Sequence, residues 1–305
     1  MLYHFLCLFL LLTPSHTFSY MRSTKEPSSA VTYQLNGGRF GDNLLSYTRA
    51  KWISYREKIP LALVPFKYSK KLVLHTHEQK IDPSSFARTE EITKDTIIDP
   101  YSNTLYISTW KSPLRPQWNN KTFLSHMRAL IAPIDPISTL NIAHNTVSVA
   151  VHVRTGGDYD PTTLKKRKPH QFPPITFYTH LMQLIITLYP HQNIYFHIFT
   201  DDSNPEKFIH IFRKKFTDPR ISFGYRKEGN NYHSNVLDDF FAMMDFDCLI
   251  RPASHFSLLV EHLGRHELIL KPAYTYHAGK QGHIDNIILL KKTENGWEKK
   301  LLPPT

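Results

Sequence analysis

The sequence predicts an α/β protein built on parallel sheets. Short apolar runs alternate with helical patterns along most of the 305 residues. The run "VSVAVHV" (147–153) is apolar almost throughout, as a strand covered on both faces must be. Glycine-rich and charged clusters follow the ends of several runs, where open parallel sheets place ligands.

Each element follows in order. Residues 1–20 hold an apolar core from Phe5 to Leu12. It is too short to span a bilayer and suits a signal peptide or membrane anchor, although no Lys or Arg precedes it. An N-terminal membrane contact and a secretory, Golgi-type lumen follow from that reading, and a cytoplasmic place without it. Residues 20–30 are polar and read as a linker. "VTYQL" (31–35) is a strand, "NGGRFGD" (36–42) a turn, and Asn43 to Glu57 a helix with Leu44, Leu45, Thr48 and Trp52 on one face. "PLALVPF" (60–66) reads as a second strand and "TLYIST" (104–109) as another, with Pro113 and Pro116 as breakers. A helix over 121–131 stops at "APIDP". Residues 31–140 are thus expected to form an N-terminal α/β domain.

A second cycle, 141–292, is expected to form a C-terminal α/β domain with a parallel sheet. Its strands are 147–153, 193–200, 221–225, 248–252, 267–272 and 284–291. Its helices are 175–189, one after "TDDSNP" capped by Asp202 or Ser203, 237–246, and one closing at Gly264. No internal repeat is visible.

Composition narrows the function. Hydrophobic content of 41% and aromatic content of 13% fill real cores. A net charge of +11 favours an anionic partner or a generally basic surface. Basic repeats interleaved with aromatics are lacking, which argues against nucleic acid. Cys7 and Cys248 are the only cysteines, so a cysteine-rich zinc site is excluded. Asn120-Lys121-Thr122 is a glycosylation sequon if the chain meets a eukaryotic secretory lumen.

Several clusters carry chemistry. In "GGRFGD", glycines before a helix let N–H groups approach an anion, with Arg39 and Asp42 beside them; the alternative is a structural turn. In "VHVRTGGDYD", strand alternation puts His152 and Arg154 on one face. Arg154 can fork onto two phosphate oxygens, and Gly156 and Gly157 allow close approach; alternatively Arg154 pairs with Asp158 or Asp160. In "IFTDD", one of Asp201 and Asp202 is a cap and the other is available to sugar or base. Ser254 and Ser257 flank a strand-to-helix turn suited to phosphate. "DFD" (245–247) imitates a metal motif, yet no third acidic ligand is nearby, so no metal site is expected. The run "KKRKPH" (165–170) is a solvated loop or a contact for an anion.

Taken in order, "GGRFGD", "VAVHVRTGGDYD", "IFTDD" and "DDFFAMMDFDCLIRPASHFS" resemble the fucosyltransferase superfamily. It joins α1,2-, α1,6- and protein O-fucosyltransferases, and the pattern is most like the α1,2 type of glycosyltransferase family 11. The likeness spans residues 36–264. It implies a GT-B-like fold of two Rossmann-like domains with a cleft between them. It also implies inverting transfer from GDP-fucose to a glycan or protein hydroxyl, without a metal or other cofactor. By motif match, Arg154 holds the β-phosphate and His152 supports the nucleotide. Asp202 and Asp239 serve the nucleoside, and Ser254, Phe256 and Ser257 close on the diphosphate. The turn carrying Gly38, Arg39, Gly41 and Asn43 faces sugar and acceptor. Asp42 or Asp158 is the candidate base. The sequence departs at Asp42 and Asn43, where relatives carry Asn and Gln, and at Thr155, where they carry a second arginine. Two other classes remain open on the residues: a non-catalytic nucleotide- or glycan-binding protein, and a glycosidase pairing Asp158 with Asp202.

Overall fold

The computed structural model describes residues 26–138, 140–156, 168–227, 230, 234–275 and 283–304. The N-terminal apolar segment, Asp158 and residues 165–167 of the basic run lie outside them.

The first sheet is parallel, in the order β1-β3-β2, from β1 (Ala30–Tyr33), β2 (Arg88–Glu91) and β3 (Thr104–Ser108). Helices α1 (Phe40–Glu57), the single turn α2 (Leu74–His77) and α3 (Lys121–Ile131) belong to this half. Asn120, of the sequon, caps α3 by accepting the Phe123 N–H at 2.9 Å. The strand expected over 60–66 does not form. Pro60 and Pro65 remove ladder donors, and only an isolated bridge joins Leu61 to Val31. β2 was not expected, because "RTEE" has no apolar alternation to show it.

The second sheet runs β10-β9-β8-β7-β4-β5-β6. Its strands are β4 (Thr146–Val153), β5 (Asn193–Thr200), β6 (Ile221–Tyr225), β7 (Cys248–Ile250), β8 (Leu268–Thr275), β9 (His283–Thr293) and β10 (Gly296–Leu302). Helices α4 (Ile175–Leu188), α5 (Glu206–Lys215), α6 (Val236–Met244) and α7 (His255–Leu263) alternate with them. β4 to β8 are mutually parallel, as expected. β9 and β10 correct the purely parallel expectation, since both pair antiparallel. Only Glu294 and Asn295 separate them, far too few for the dozen or more residues of a parallel crossover.

β4 shows why the sheet is covered on both faces. Val149, Val151 and Val153 pack with Phe177, Leu181 and Phe212 in one layer. Ala150 faces the other layer, with Phe240 and Leu259. Each buried valine contributes about 1.5–3 kcal/mol. The second layer also takes Leu44, Tyr47 and Trp52 of α1, so one core joins the two sheets.

The join is closest where α1 meets α7. A Cβ on Gly41 would lie 2.5 Å from the Phe256 amide nitrogen, so only glycine permits the approach. The far end of α7 is braced from the first half. The Arg128 Nε–H donates to the Leu263 carbonyl at 2.7 Å, and Trp118 stacks on His262 at 4.2 Å. Gly264 caps α7 in an extended conformation (φ −76°) and not a left-handed one. Glycine is needed there for space, because a Cβ would lie 2.7 Å from the Val260 carbonyl.

Candidate active site

Strand order in the second sheet reverses between β4 and β7, the position where doubly wound sheets open a ligand crevice. A cavity of about 430 Å³ lies there. It gathers Gly38, Arg39, Gly41, Asp42 and Asn43 before and within α1, His152 and Arg154 at the end of β4, Asp239 on α6, and Ser254 and Phe256 at the start of α7.

Two helices point their N-termini at this space. α1 begins after Arg39 and α7 after Ser254, and neither has a side-chain cap. Their first N–H groups are the donors helices leave unsatisfied. Gly38 keeps the turn tight: a Cβ would meet Asp42 Cβ at 2.5 Å, and Asn43 Nδ2 donates back to the Gly38 carbonyl at 3.2 Å. Phe256 sits in an aromatic floor, with ring centroids 5.3 Å from Phe240, 5.6 Å from His152 and 6.2 Å from Phe40.

Arg154 lies over the Phe172 ring at 4.8 Å. The turn beyond it is held by Asp201, which accepts the Thr155 N–H at 2.7 Å, the Thr155 hydroxyl at 2.9 Å and the Gly156 N–H at 3.2 Å. Gly156 has φ +107°, a conformation that favours glycine. Arg39 reaches across from the first sheet, 3.6 Å from Asp201 and donating to the Gly156 carbonyl at 3.1 Å.

Burial sets the titration of His152, whose pKa falls to about 4; Asp201 opposes that fall, and Arg154 and Arg251 add to it. The ring is neutral at physiological pH and offers hydrogen bonds, not charge. Burial raises Asp239 to about 6, against the opposing pull of Arg226 at 2.9 Å and with help from Asp238. For Asp42 burial also favours the neutral acid. The hydrogen bond and charge of His255, with Arg154, outweigh it and hold the carboxyl below its usual value. His255 Nδ1 lies 2.6 Å from Asp42 Oδ1.

Several expected residues fall elsewhere. Asp202 is not among the lining side chains: it accepts the Asn204 N–H at 2.9 Å and pairs with Lys207 at 2.5 Å. Pro205, not Asp202 or Ser203, is the α5 N-cap residue. Of the two neighbours, Asp201 is the one that lines the cavity. The alternative glycosidase pair includes Asp158, which lies outside the described residues. Ser257 is fully buried beneath α7 and outside the lining. In "DFD", Asp247 accepts the Ser148 N–H and hydroxyl at 2.9 and 2.7 Å, a structural pin. Among the described residues, no group of three or more acidic, His or Cys side chains is arranged to hold a metal.

The residues left Asp201 and Asp202 open and the resemblance pointed to Asp202; His255, Lys67, Tyr68 and Gln171 were missed. Parity was available for Asp201. Phe199 lies on the side of β5 that faces α6, and a two-residue period puts Asp201 on that side. No comparable signal marked the others.

No protein-family profile matches the sequence, and no curated protein matches it. Solved structures do. An Arabidopsis thaliana FUT1 variant in complex with GDP aligns with a TM-score of 0.54 at 13% identity, covering 92% of this chain and 75% of that one. POFUT1 in complex with GDP-fucose aligns at 0.49 with 10% identity, over 80% and 97%. NodZ α-1,6-fucosyltransferase soaked with GDP-fucose aligns at 0.42 with 12% identity, over 88% and 99%. The chain therefore has a fucosyltransferase-like fold of the GT-B kind, mixed α/β around a mainly parallel sheet.

Proposed function

We propose that the protein is a glycosyltransferase that moves fucose from GDP-fucose to a hydroxyl of a glycan or protein, inverting the anomeric centre and requiring no metal. One observation carries the reading. Arg154, at the end of β4, faces one cavity with the uncapped N-termini of α1 and α7, one from each half of the fold. Such a set suits a diphosphate, and the FUT1 variant of like fold is a GDP complex.

In this reading GDP lies along the carboxyl ends of β4 and β7. The acceptor oxygen bonds to the anomeric carbon as the bond to the β-phosphate oxygen breaks, and that electron pair leaves with GDP. Arg154 and the helix N–H groups stabilise the departing charge, the task a divalent cation performs elsewhere. The acceptor proton needs a base. Asp42 is held ionised, so it is the weaker candidate. It accepts the His255 Nδ1–H, which leaves Nε2 as the candidate proton acceptor. His255 is then the base and Asp42 its positioning partner.

The test is calorimetric titration with GDP and GDP-fucose in EDTA, with donor turnover followed in the same buffer. Arg154→Ala is expected to weaken GDP binding by about 10²-fold, the loss of roughly 3 kcal/mol from charged hydrogen bonds. Unchanged affinity in that variant overturns the site assignment. Binding without turnover leaves a non-catalytic nucleotide-binding protein.

A further inference from the structure

Asp42 and His255 line a second groove as well, of about 250 Å³, on the side away from Arg154. Asn36, Arg49, Trp110 and Arg115 line it with them. Arg49 lies two turns along α1 from Asp42. Trp110 and Arg115 follow β3, the central strand of the first sheet. The groove therefore lies beyond the carboxyl ends of the first sheet, as the cavity does for the second. The Asp42–His255 pair is the wall they share.

The lining is cationic and aromatic. Trp110 is 61% exposed at the groove, with the Lys111 ammonium 5.7 Å from its ring centroid. The Arg49 Nε–H is buried and makes no hydrogen bond. Burial lowers the Arg49 pKa to about 10, the charge of Arg115 adds to the fall, and Asp42 opposes it. Two guanidinium groups held at one groove repel each other, and an anion bridging them removes the repulsion and supplies the missing acceptor. The space is below the roughly 300–1,000 Å³ of pockets for drug-sized ligands, which suits a single sugar ring.

We propose that this groove is the acceptor subsite and that it selects an acidic sugar: a ring stacked on Trp110 whose carboxylate or sulfate is held by Arg49 and Arg115. The proposal rests on the transferase reading above, since it is the shared His255 that makes the groove's occupant an acceptor.

The experiment is ligand-observed NMR titration of the full chain with methyl β-glucuronide, glucose 6-sulfate, methyl β-glucoside and acetate, alongside calorimetry with GDP. The acidic sugars are expected to bind at least tenfold more tightly than the glucoside and than acetate. In Arg115→Ala that advantage disappears, while Trp110→Ala weakens all three sugars. Both side chains are exposed, and an unchanged thermal midpoint shows that the variants fold. The two acidic sugars tell carboxylate from sulfate. Equal binding of glucuronide and glucoside, acetate binding as tightly as the acidic sugars, or indifference to Arg115→Ala overturns the proposal. Acid-selective binding in a protein that does not bind GDP keeps the groove and overturns the transferase reading, and with it the acceptor role.

Discussion

Replacing Gly41 with alanine adds one carbon where α1 and α7 meet. That carbon lands 2.5 Å from the Phe256 nitrogen and 2.7 Å from its Cα. Ordinary contact begins at 3.4 Å, so the α7 backbone must retreat by about 0.9 Å. Both clashing atoms are backbone, and α1 has little room on its own side, where Phe40 packs edge-on against Phe240 at 5.4 Å. Overpacking of this kind costs about 1–3 kcal/mol, which lowers the unfolding midpoint by roughly 1.5–5 °C in a chain of this size. The functional loss is larger. His255 adjoins Phe256, and a shift of that size breaks its 2.6 Å contact with Asp42. Misplacing a catalytic group by about 1 Å costs on the order of 10²-fold in rate. Gly37→Ala is the control: φ is +73° and nothing lies within 4 Å of the added carbon, so it strains only its own turn. Donor turnover and thermal unfolding are measured on both variants. Wild-type turnover in Gly41→Ala, with an unchanged midpoint, refutes the claim that the two helix ends are held in register.

Asp201→Ala releases Thr155, Gly156 and Arg39 together and is expected to weaken GDP binding at least tenfold; Asp202→Ala is expected to change it less than twofold. Equal losses in the two titrations refute the assignment of Asp201. Buried Glu261 holds Arg251 and Lys271, so Glu261→Gln leaves buried Arg251 and half-buried Lys271 without a carboxylate and is expected to cost about 3 kcal/mol in urea unfolding. Burial favours the neutral acid at Glu261, but Arg251 and Lys271 outweigh it and hold the pKa at about 2. Because the folded pKa is depressed, this stabilisation is full above the ordinary carboxylate range and fades as pH falls toward 2, by about 3 kcal/mol in all. The wild-type urea midpoint therefore falls more steeply than the variant's between pH 5 and 2, and parallel curves refute the triad.

The strands of the second sheet were legible because burial on both faces writes them as apolar runs. "NIYFHIFT" and "ISFGY" coincide with β5 and β6 residue for residue. What was illegible has a physical reason in each case. "PLALVPF" is apolar because it lies along β1 and the core, yet its prolines bar a ladder. β10 is exposed nearly throughout, so no alternation marks it. Candidate site residues were legible where glycine or a charge interrupts an apolar pattern, as at Gly41 and Arg154. His255 carries no such mark. Its place depends on α7 meeting α1, a long-range contact that local sequence does not encode.

Thr155 shows how that contact bears on the proposed chemistry. The family pattern puts a second arginine at this position, but here both polar groups of Thr155 are given to Asp201, at 2.7 and 2.9 Å. A second guanidinium in the cavity comes from Arg39 instead, in the loop between β1 and α1, with Lys67 as a further cation of the lining. Arg39 lies beside the first sheet and Arg154 at the end of the second, so the proposed diphosphate meets both only while the sheets are docked. Docking in turn rests on the close approach at Gly41, on Trp118 against His262, and on Arg128 at the end of α7. If GDP binds as proposed, donor affinity and the stability of this interface are linked, and GDP stabilises the docked chain by as much as docking improves GDP binding.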